Sequence, residues 1–232
     1  LGVINTIGLK DFIIFDLGGA STEVTLVKNR HIVKAVSLPI GALTLTGTYQ
    51  KGDEYTPKEL EKMTKAVKKT IKEHTWLQNI KLPLLGIGGT ARNIAKIDQR
   101  KLSYPITKLH NYELPYHRFH EILEDVKGKS LGARKKISGL SSDRADIIIA
   151  GLTIVDELFN YVNTKTLVVG GCGLREGLFY DYYGENYLGG NSIIEDILVH
   201  SAENVLLGMT KHELVHAKYI TKLATTLYDA LE

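Results

Sequence analysis

The chain has 232 residues, of which 44% are hydrophobic and 24% are charged, and its formal net charge at pH 7 is +3. This apolar content suffices for a packed core, and the balanced charge argues against binding to nucleic acid. A single cysteine, Cys172, excludes a disulfide framework and favours a reducing, cytoplasmic setting, and no apolar run is long enough to span a bilayer.

Three short strands are predicted at the start of the chain. Buried-type residues predict the first strand at 10–15, and β-branched or alternating residues predict two more at 22–28 and 31–38. Because only short turns separate them, we expect an antiparallel meander.

The segment 16–23, Asp-Leu-Gly-Gly-Ala-Ser-Thr-Glu, carries the strongest signal for chemistry. We expect its glycines to adopt positive φ angles and to bring N–H groups close to a bound oxyanion, with the two hydroxyl groups as further donors. The predicted anion ligands here are Gly18, Gly19, Ser21 and Thr22. Asp16 would repel a phosphate group, so it is predicted to hold a divalent cation or to orient a water, and Glu23 is a second carboxylate. The alternative is a plain β-turn with a capping acid.

The middle of the chain alternates helices and strands. Thr56, Pro57 and Glu59 combine a capping box with a proline at the first helical position, and they predict an amphipathic helix with a solvated, lysine-rich outer face. A strand at 82–87 then enters the turn Gly88-Gly89-Thr90, which opens a helix at 91–97 whose free N–H groups favour an anion.

The third glycine turn lies further on. Ser141, Ser142 and Asp143 are predicted to cap a long apolar helix, and a strand at 166–169 enters the turn 170–173 before a helix at 174–183. The order βββ-α-β-α-(helices)-β-α is typical of a ribonuclease-H-like α/β layer.

A domain boundary is predicted after residue 183. Residues 184–192 are rich in Gly, Asn and Tyr and are expected to form a linker, and 193–232 are expected to form two helices. One helix pair is too small for a core of its own, so we expect a truncated all-α extension at 193–232 and a chain cut from a longer protein.

Five blocks now stand together in one order: 16–23, 37–42, 88–92, 139–147 and 173–177. They resemble the exopolyphosphatase and guanosine pentaphosphate phosphohydrolase family, within the actin, sugar-kinase and heat-shock ATPase superfamily. The resemblance covers residues 1–183 and implies the second ribonuclease-H-like half of an actin-like ATPase catalytic unit. It also implies hydrolysis of a terminal phosphoanhydride of polyphosphate or guanosine pentaphosphate with magnesium. We expect a homodimer at full length.

The resemblance assigns roles to individual residues. Asp16 and Glu23 match essential acids, with Asp16 as the metal ligand, and 18–22 match the phosphate cradle, in which Ala20 stands where a third glycine is more common. Further phosphate ligands are expected at Gly88, Gly89, Thr90, Arg92, Arg144 and Arg175. Each arginine has the alternative of a surface or capping role. The family's first phosphate loop and catalytic glutamate are expected upstream of this chain, which alone would then be inactive.

Other functions remain open at this point. The segment His212-Glu213-Leu214-Val215-His216 matches the zinc-peptidase motif His-Glu-x-x-His. However, Tyr219 and Lys222 stand where an extended motif has Gly and His. Thr210 and Glu213 also match a helix capping box. The segment could instead open a helical domain of the histidine-aspartate metal phosphohydrolase type. The α/β part could be half of a sugar or acetate kinase, or a non-catalytic phosphate- or nucleotide-binding module.

Overall fold

The structure is a computed structural model that describes residues 1–206, 208 and 210–231, apart from the side chains of Lys211 and His212. The chain divides into two compact units, Leu1–Phe179 and Tyr180–Glu232. None of the described helices combines the length and apolar character that crossing a bilayer requires.

The first unit is built on a six-stranded mixed sheet with the strand order β3-β2-β1-β4-β6-β5. The strands are β1 (Phe12–Leu17), β2 (Thr22–Lys28), β3 (His31–Leu38), β4 (Leu84–Ile87), β5 (Tyr112–Pro115) and β6 (Thr166–Val169). The first three form the predicted antiparallel meander, β1, β4 and β6 are parallel, and β5 is antiparallel to β6. The predicted bounds of β2, β3 and β6 are confirmed, whereas β1 lies two residues later than predicted.

Helices of the first unit flank this sheet. They are α1 (Ala42–Tyr49), α2 (Pro57–Lys72), α3 (Gly88–Lys101), α4 (Tyr116–Lys127), α5 (Leu131–Arg134), α6 (Ile148–Val162) and the first part of α7 (Leu174–Tyr187). The apolar α6 packs against α1, α2 and α4. The ring centroids of Phe159 of α6 and Phe119 of α4 are 5.0 Å apart, and both side chains are buried. Removal of these large apolar surfaces from water is the main stabilising contribution of this layer.

The capping box of α2 is confirmed. Thr56 Oγ1 accepts a hydrogen bond from the Glu59 N–H, and the Glu59 carboxylate accepts one from the Thr56 N–H at 2.8 Å. The predicted cap of α6 is wrong, because Ser142–Arg144 form a 3₁₀ turn and α6 begins only at Ile148. The N–H of Ser141 instead donates to Asn93 Oδ1 at 2.8 Å, which fastens this loop to α3.

Two elements are absent from the sequence-based expectation. Helix α1, which follows Gly41 and contains Gly47, and strand β5 both form in segments for which no helix or strand is predicted from the sequence. The first N–H groups of α1 donate to carbonyl groups of Gly18 and Gly19, so tertiary contacts rather than local propensity start this helix.

The second unit is helical. Helix α7 continues to Tyr187, so the first residues of the expected linker at 184–192 are helical, and the division between the units falls within α7. The other helices are α8 (Ile197–Leu206) and α9 (Lys211–Asp229). Thr210 and Glu213 form the predicted capping box at the start of α9.

Candidate active site

Three glycine turns lie side by side at one edge of the sheet. They follow β1, β4 and β6, which are parallel neighbours in the sheet order, so the turns at 18–19, 88–89 and 170–173 meet at the carboxyl ends of these strands. This edge is where ligands bind in open α/β sheets. We call it the glycine-turn site.

A row of polar side chains crosses the meander at the same edge. Asp16 of β1 lies directly opposite Glu23 of β2, and Glu23 lies opposite Ser37 of β3. Glu23 Oε1 accepts hydrogen bonds from the hydroxyl groups of Ser21 at 2.7 Å and Ser37 at 2.8 Å. Ser37 was not predicted as a site residue, although its place in β3 follows once the strand register is known.

The two carboxylates of this row differ in their ionisation. Burial raises the pKa of Asp16, and the nearby charge of Glu23 raises it further, while Arg92 lowers it. The hydrogen bond from Ser21 lowers the pKa of Glu23, against a smaller effect of burial, and Ser37 lowers it further. Glu23 is therefore held as the charged form, and the negative charge of Asp16 is the less stabilised of the two.

Gly88 is required by the position of Asp16. Its φ angle is +86°, and a Cβ atom at this position would lie only 2.8 Å from Asp16 Oδ1. Any other residue would therefore meet both backbone strain and a collision with the carboxylate. The start of α3 is in this way packed against the acid at the end of β1.

The first glycine turn differs from its prediction. Neither Gly18 nor Gly19 has a positive φ angle, and Ala20 fits the turn because no such angle is needed there. The N–H of Gly18 donates to the carbonyl of Ser21 at 2.9 Å and closes the β1–β2 hairpin. Gly41 is the position at which close approach demands glycine, since a Cβ atom there would lie 2.4 Å from the Gly19 carbonyl group.

The same turn keeps donors available. The carbonyl groups of Gly18 and Gly19 accept N–H groups of α1. Within the described part of the chain, the N–H groups of Gly19, Ala20 and Ser21 have no acceptor in the protein. An oxyanion can therefore bind at this turn without breaking an existing hydrogen bond.

All three predicted arginines lie in this unit, and two contact the turn that opens α3. The guanidinium of Arg144 packs over Gly89, with its Cζ 3.2 Å from the place a Cβ would occupy, and Arg92 Nε donates to the Gly88 carbonyl at 3.2 Å. Arg175, at the start of α7, lines a cavity of about 180 Å³ together with Asp16 and Arg92. The cavity thus combines positive charge with the end of β1.

Two predicted phosphate ligands lie elsewhere. Thr22 has no exposed surface, and its hydroxyl group donates to the Ile40 carbonyl at 2.7 Å, so this side chain anchors the loop after β3. Thr90 is also buried, and its methyl group lies 2.8 Å from the place of a Cβ at Gly151 of α6. Both hydroxyl-bearing side chains are used in packing rather than in the cavity.

A histidine that the sequence did not single out supports the third glycine turn. His110 Nδ1 accepts the Gly171 N–H at 3.0 Å, so Nε2 carries the hydrogen and donates to the Thr6 carbonyl at 2.9 Å. The ring thereby ties the turn to the amino-terminal segment. No local pattern signals this role, because the two partners are distant in sequence.

The zinc-peptidase hypothesis receives no support from the described atoms. The carboxylate of Glu213 accepts hydrogen bonds from the N–H and hydroxyl groups of Thr210, and the His212 side chain lies outside the described residues. Among the residues that are described, no three His, Cys, Asp or Glu side chains are grouped so as to hold a metal ion.

A metal ion shared with a ligand remains compatible with Asp16 and Glu23. Magnesium is usually held by one or two carboxylates together with water and substrate phosphates, so a complete protein cage is not required. The burial of Asp16 beside a second carboxylate disfavours its negative charge, and a bound cation would offset that penalty. The donor set therefore fits a hard divalent cation.

Comparisons with known proteins identify a family and several relatives of this chain. The model of the Ppx/GppA phosphatase family matches residues 1–185. A bifunctional 3-dehydroquinate synthase/phosphatase of Fusobacterium nucleatum is 29% identical over 175 residues, which make up 72% of this chain and 26% of the relative. Exopolyphosphatase 2 of Mycobacterium tuberculosis is 26% identical over 151 residues, 63% of this chain and 46% of the relative. A guanosine-5'-triphosphate,3'-diphosphate pyrophosphatase of Pseudoalteromonas translucida is 27% identical over 173 residues, 75% of this chain and 34% of the relative.

Solved structures confirm the expected fold class. The crystal structure of the Aquifex aeolicus Ppx/GppA family member matches with a TM-score of 0.71 and 26% identity, covering 80% of this chain and 60% of that one. The α/β unit is thus the predicted ribonuclease-H-like, actin-like ATPase type. The chain spans less than half the length of the curated relatives it matches.

Proposed function

The chain belongs to the Ppx/GppA phosphatase family, and on that premise we propose that its glycine-turn site binds a terminal phosphate group and contributes to the hydrolysis of a phosphoanhydride bond. The observation that carries this proposal is the pairing of Asp16 with Glu23 beside a turn in which the N–H groups of 19–21 have no acceptor among the described residues. The turn supplies anion donors and the carboxylates supply cation ligands, which are the two requirements of a metal-phosphate complex.

Each part of the site has a role in this proposal. The N–H groups of 19–21 bind oxygens of the terminal phosphate. Its charge is balanced by Arg92 of α3 and by Arg144 of the 3₁₀ turn, which packs over the start of α3. Asp16 and Glu23 hold magnesium, which when bound supplies charge neutralisation for the phosphoryl group. Ser21 and Ser37 keep Glu23 oriented and ionised.

The activating base is proposed to come from outside this chain. Besides Asp16, the cavity contains one other carboxylate among the described residues, that of Glu176, and it accepts the Gly173 N–H at 2.7 Å. Neither acid is free to activate water if Asp16 holds the metal. We therefore propose that a second half of the catalytic unit, carrying the first phosphate loop and a glutamate base, completes the site.

The proposed substrates are inorganic polyphosphate and guanosine pentaphosphate. The relatives named exopolyphosphatase and guanosine-5'-triphosphate,3'-diphosphate pyrophosphatase support both. The two compounds have the same terminal group, a phosphate in anhydride linkage. The residues of the glycine-turn site are proposed to contact only that group, so they bind either compound.

Product analysis tests the proposal. The full-length protein, incubated with magnesium and either substrate, should release inorganic phosphate, whereas residues 1–232 alone should release almost none. Transfer of phosphate from ATP to a sugar or acetate, with no release from polyphosphate or guanosine pentaphosphate, would establish a kinase and contradict the proposal. Rapid release by residues 1–232 alone would contradict the need for an external base.

A further inference from the structure

A second concave surface lies along the carboxyl-terminal half of α3. It encloses about 470 Å³, and we call it the α3 groove. Its polar lining includes Lys96, Arg100, Tyr104, Thr107, Ser138 and Ser141. It shares no lining residue with the cavity that contains Asp16, so it is a separate site in the same unit.

One wall of the α3 groove is fixed against the helix backbone. Gly139 has a φ angle of +93°, and a Cβ atom there would lie 2.5 Å from the Lys96 carbonyl oxygen, so this loop can approach α3 only through glycine. Two residues later, the Ser141 N–H donates to the buried Asn93 side chain. Ser138 and Ser141 are therefore held at the rim without any ligand.

The opposite wall is fixed in the same way. The N–H of Tyr104 donates to the Gln99 carbonyl at 2.8 Å, and Gln99 Nε2 donates to the Lys108 carbonyl at 3.1 Å. The ring of Tyr104 also packs edge-on against Tyr112, with 5.3 Å between ring centroids. The groove is thus preformed, which lowers the entropic cost of binding a ligand.

The charge of the α3 groove is positive and uncompensated. Lys96 and Arg100 are four residues apart on α3 and so share one face, about 6 Å apart along the axis. No acidic residue lines the groove, and in the described part of the chain neither cation forms an ion pair. Asp98, the acid between them in sequence, is buried and is bound by Tyr112 and Arg118. Two like charges at this spacing destabilise a helix unless an anion joins them.

We propose that the α3 groove binds a multiply charged phosphate compound, with Lys96 and Arg100 on its phosphate groups and the hydroxyl groups of Thr107 and Ser138 as further donors. An oligophosphate chain and the phosphate groups of a nucleotide share this chemistry. Tyr104 lines the groove and is 42% exposed as a residue, so its aromatic ring is available to stack on a base, a contact that an oligophosphate would not use.

Calorimetric titration with tripolyphosphate in the presence of a chelator tests the groove separately from catalysis. Without a divalent cation, Asp16 and Glu23 repel polyanions from the glycine-turn site, whereas the groove has no carboxylate. The double variant Lys96→Gln/Arg100→Gln should weaken binding at least about tenfold. The matched control Lys62→Gln/Lys69→Gln removes two exposed lysines of α2 and should leave the affinity within about twofold.

A second variant protects the test against a folding artefact. Ser138→Asp changes one exposed rim residue, and its negative charge should also weaken tripolyphosphate binding. Equal binding by the parent, the double variant and Ser138→Asp would overturn the proposal, as would equal weakening in the α2 control. Asp16→Asn should retain groove binding, so the outcome does not depend on whether the chain takes part in hydrolysis.

The same titration with GTP distinguishes the two sources. If Tyr104→Leu weakens GTP binding but not tripolyphosphate binding, the groove is a nucleotide site. If Tyr104→Leu leaves both unchanged while the double variant still loses both, the groove holds phosphate groups alone. Both results support the proposal, whereas loss of GTP binding in Tyr104→Leu together with full binding by the double variant would contradict it.

Discussion

Replacement of Gly88 by alanine tests the packing of α3 against Asp16. A non-glycine residue at φ +86° is destabilised by roughly 1–2 kcal/mol relative to its usual conformation. The new Cβ would also lie 2.8 Å from Asp16 Oδ1, so the carboxylate must shift. Alanine also lowers the conformational entropy of the unfolded chain, which stabilises the folded state by about 0.4–1 kcal/mol. The two backbone effects together leave a loss of up to about 1.6 kcal/mol, and displacement of the Asp16 carboxylate adds to it, so we expect a total loss of about 1–2 kcal/mol. A loss of this size lowers the melting temperature of a unit of this size by roughly 2–8 °C.

Thermal unfolding followed by circular dichroism measures this loss. The control is Gly47→Ala in α1, where nothing lies within 4 Å of the new methyl group and φ is not positive, so that variant should be stabilised by about 0.5–1 kcal/mol. In an Asp16→Ala background, Gly88→Ala should destabilise the protein less, because the collision with the carboxylate is gone and only the backbone strain remains. A melting temperature for Gly88→Ala equal to that of the parent would refute this reasoning.

Four further outcomes are expected. Thr56→Ala should lower the free energy of unfolding in urea by about 1 kcal/mol, because it removes the cap of α2, and Ser142→Ala, which removes no cap, should leave it nearly unchanged. The hydrogen bond from the Thr56 N–H lowers the pKa of Glu59 in the folded state. The stability that this carboxylate contributes is therefore present above pH 4.5 and is lost as the pH falls through the lower folded-state pKa. Glu59→Gln should accordingly make the free energy of unfolding in urea less dependent on pH in this acidic range. Phe159→Ala should cost about 3–5 kcal/mol in the same urea assay, since the ring is fully packed between helices. His110→Ala should accelerate hydrogen exchange of the Gly171 amide without changing that of the Val168 amide in β6. Unchanged exchange at Gly171 would contradict the hydrogen bond assigned to His110.

Elements with strong local signals could be predicted from the sequence. Helix α2 has a capping box and an apolar stripe, and β2, β3 and β6 are rich in β-branched and apolar residues. Helix α1 lacks such a signal, because its eight residues include three threonines and a glycine. It forms through hydrogen bonds to the first glycine turn, which no local pattern reveals.

The candidate site could likewise be predicted only where local sequence patterns determine it. The pairing of Asp16 with Glu23 follows from a short hairpin, and the side-by-side glycine turns follow from the parallel order β1-β4-β6. Strand alternation puts Thr22 on the buried face of β2 together with Val24, but the acceptor of its hydroxyl group, the Ile40 carbonyl, lies 18 residues away, and no local pattern reveals that contact. The bridge made by His110 depends on a residue more than 100 positions away, and sequence spacing carries no information about it.

Magnesium-dependent phosphate release by the full-length protein carrying Asp16→Asn tests the central claim most directly. This change keeps the shape of the side chain and removes its charge, and we predict a kcat at least about tenfold lower than that of the parent at every magnesium concentration. The matched control is Asp11→Asn, an exposed acid before β1 whose carboxylate accepts the Asn29 N–H, and it should retain the parent rate. A parent-like kcat for Asp16→Asn, with polyphosphate and with guanosine pentaphosphate alike, would contradict the role assigned to the carboxylate at the end of β1.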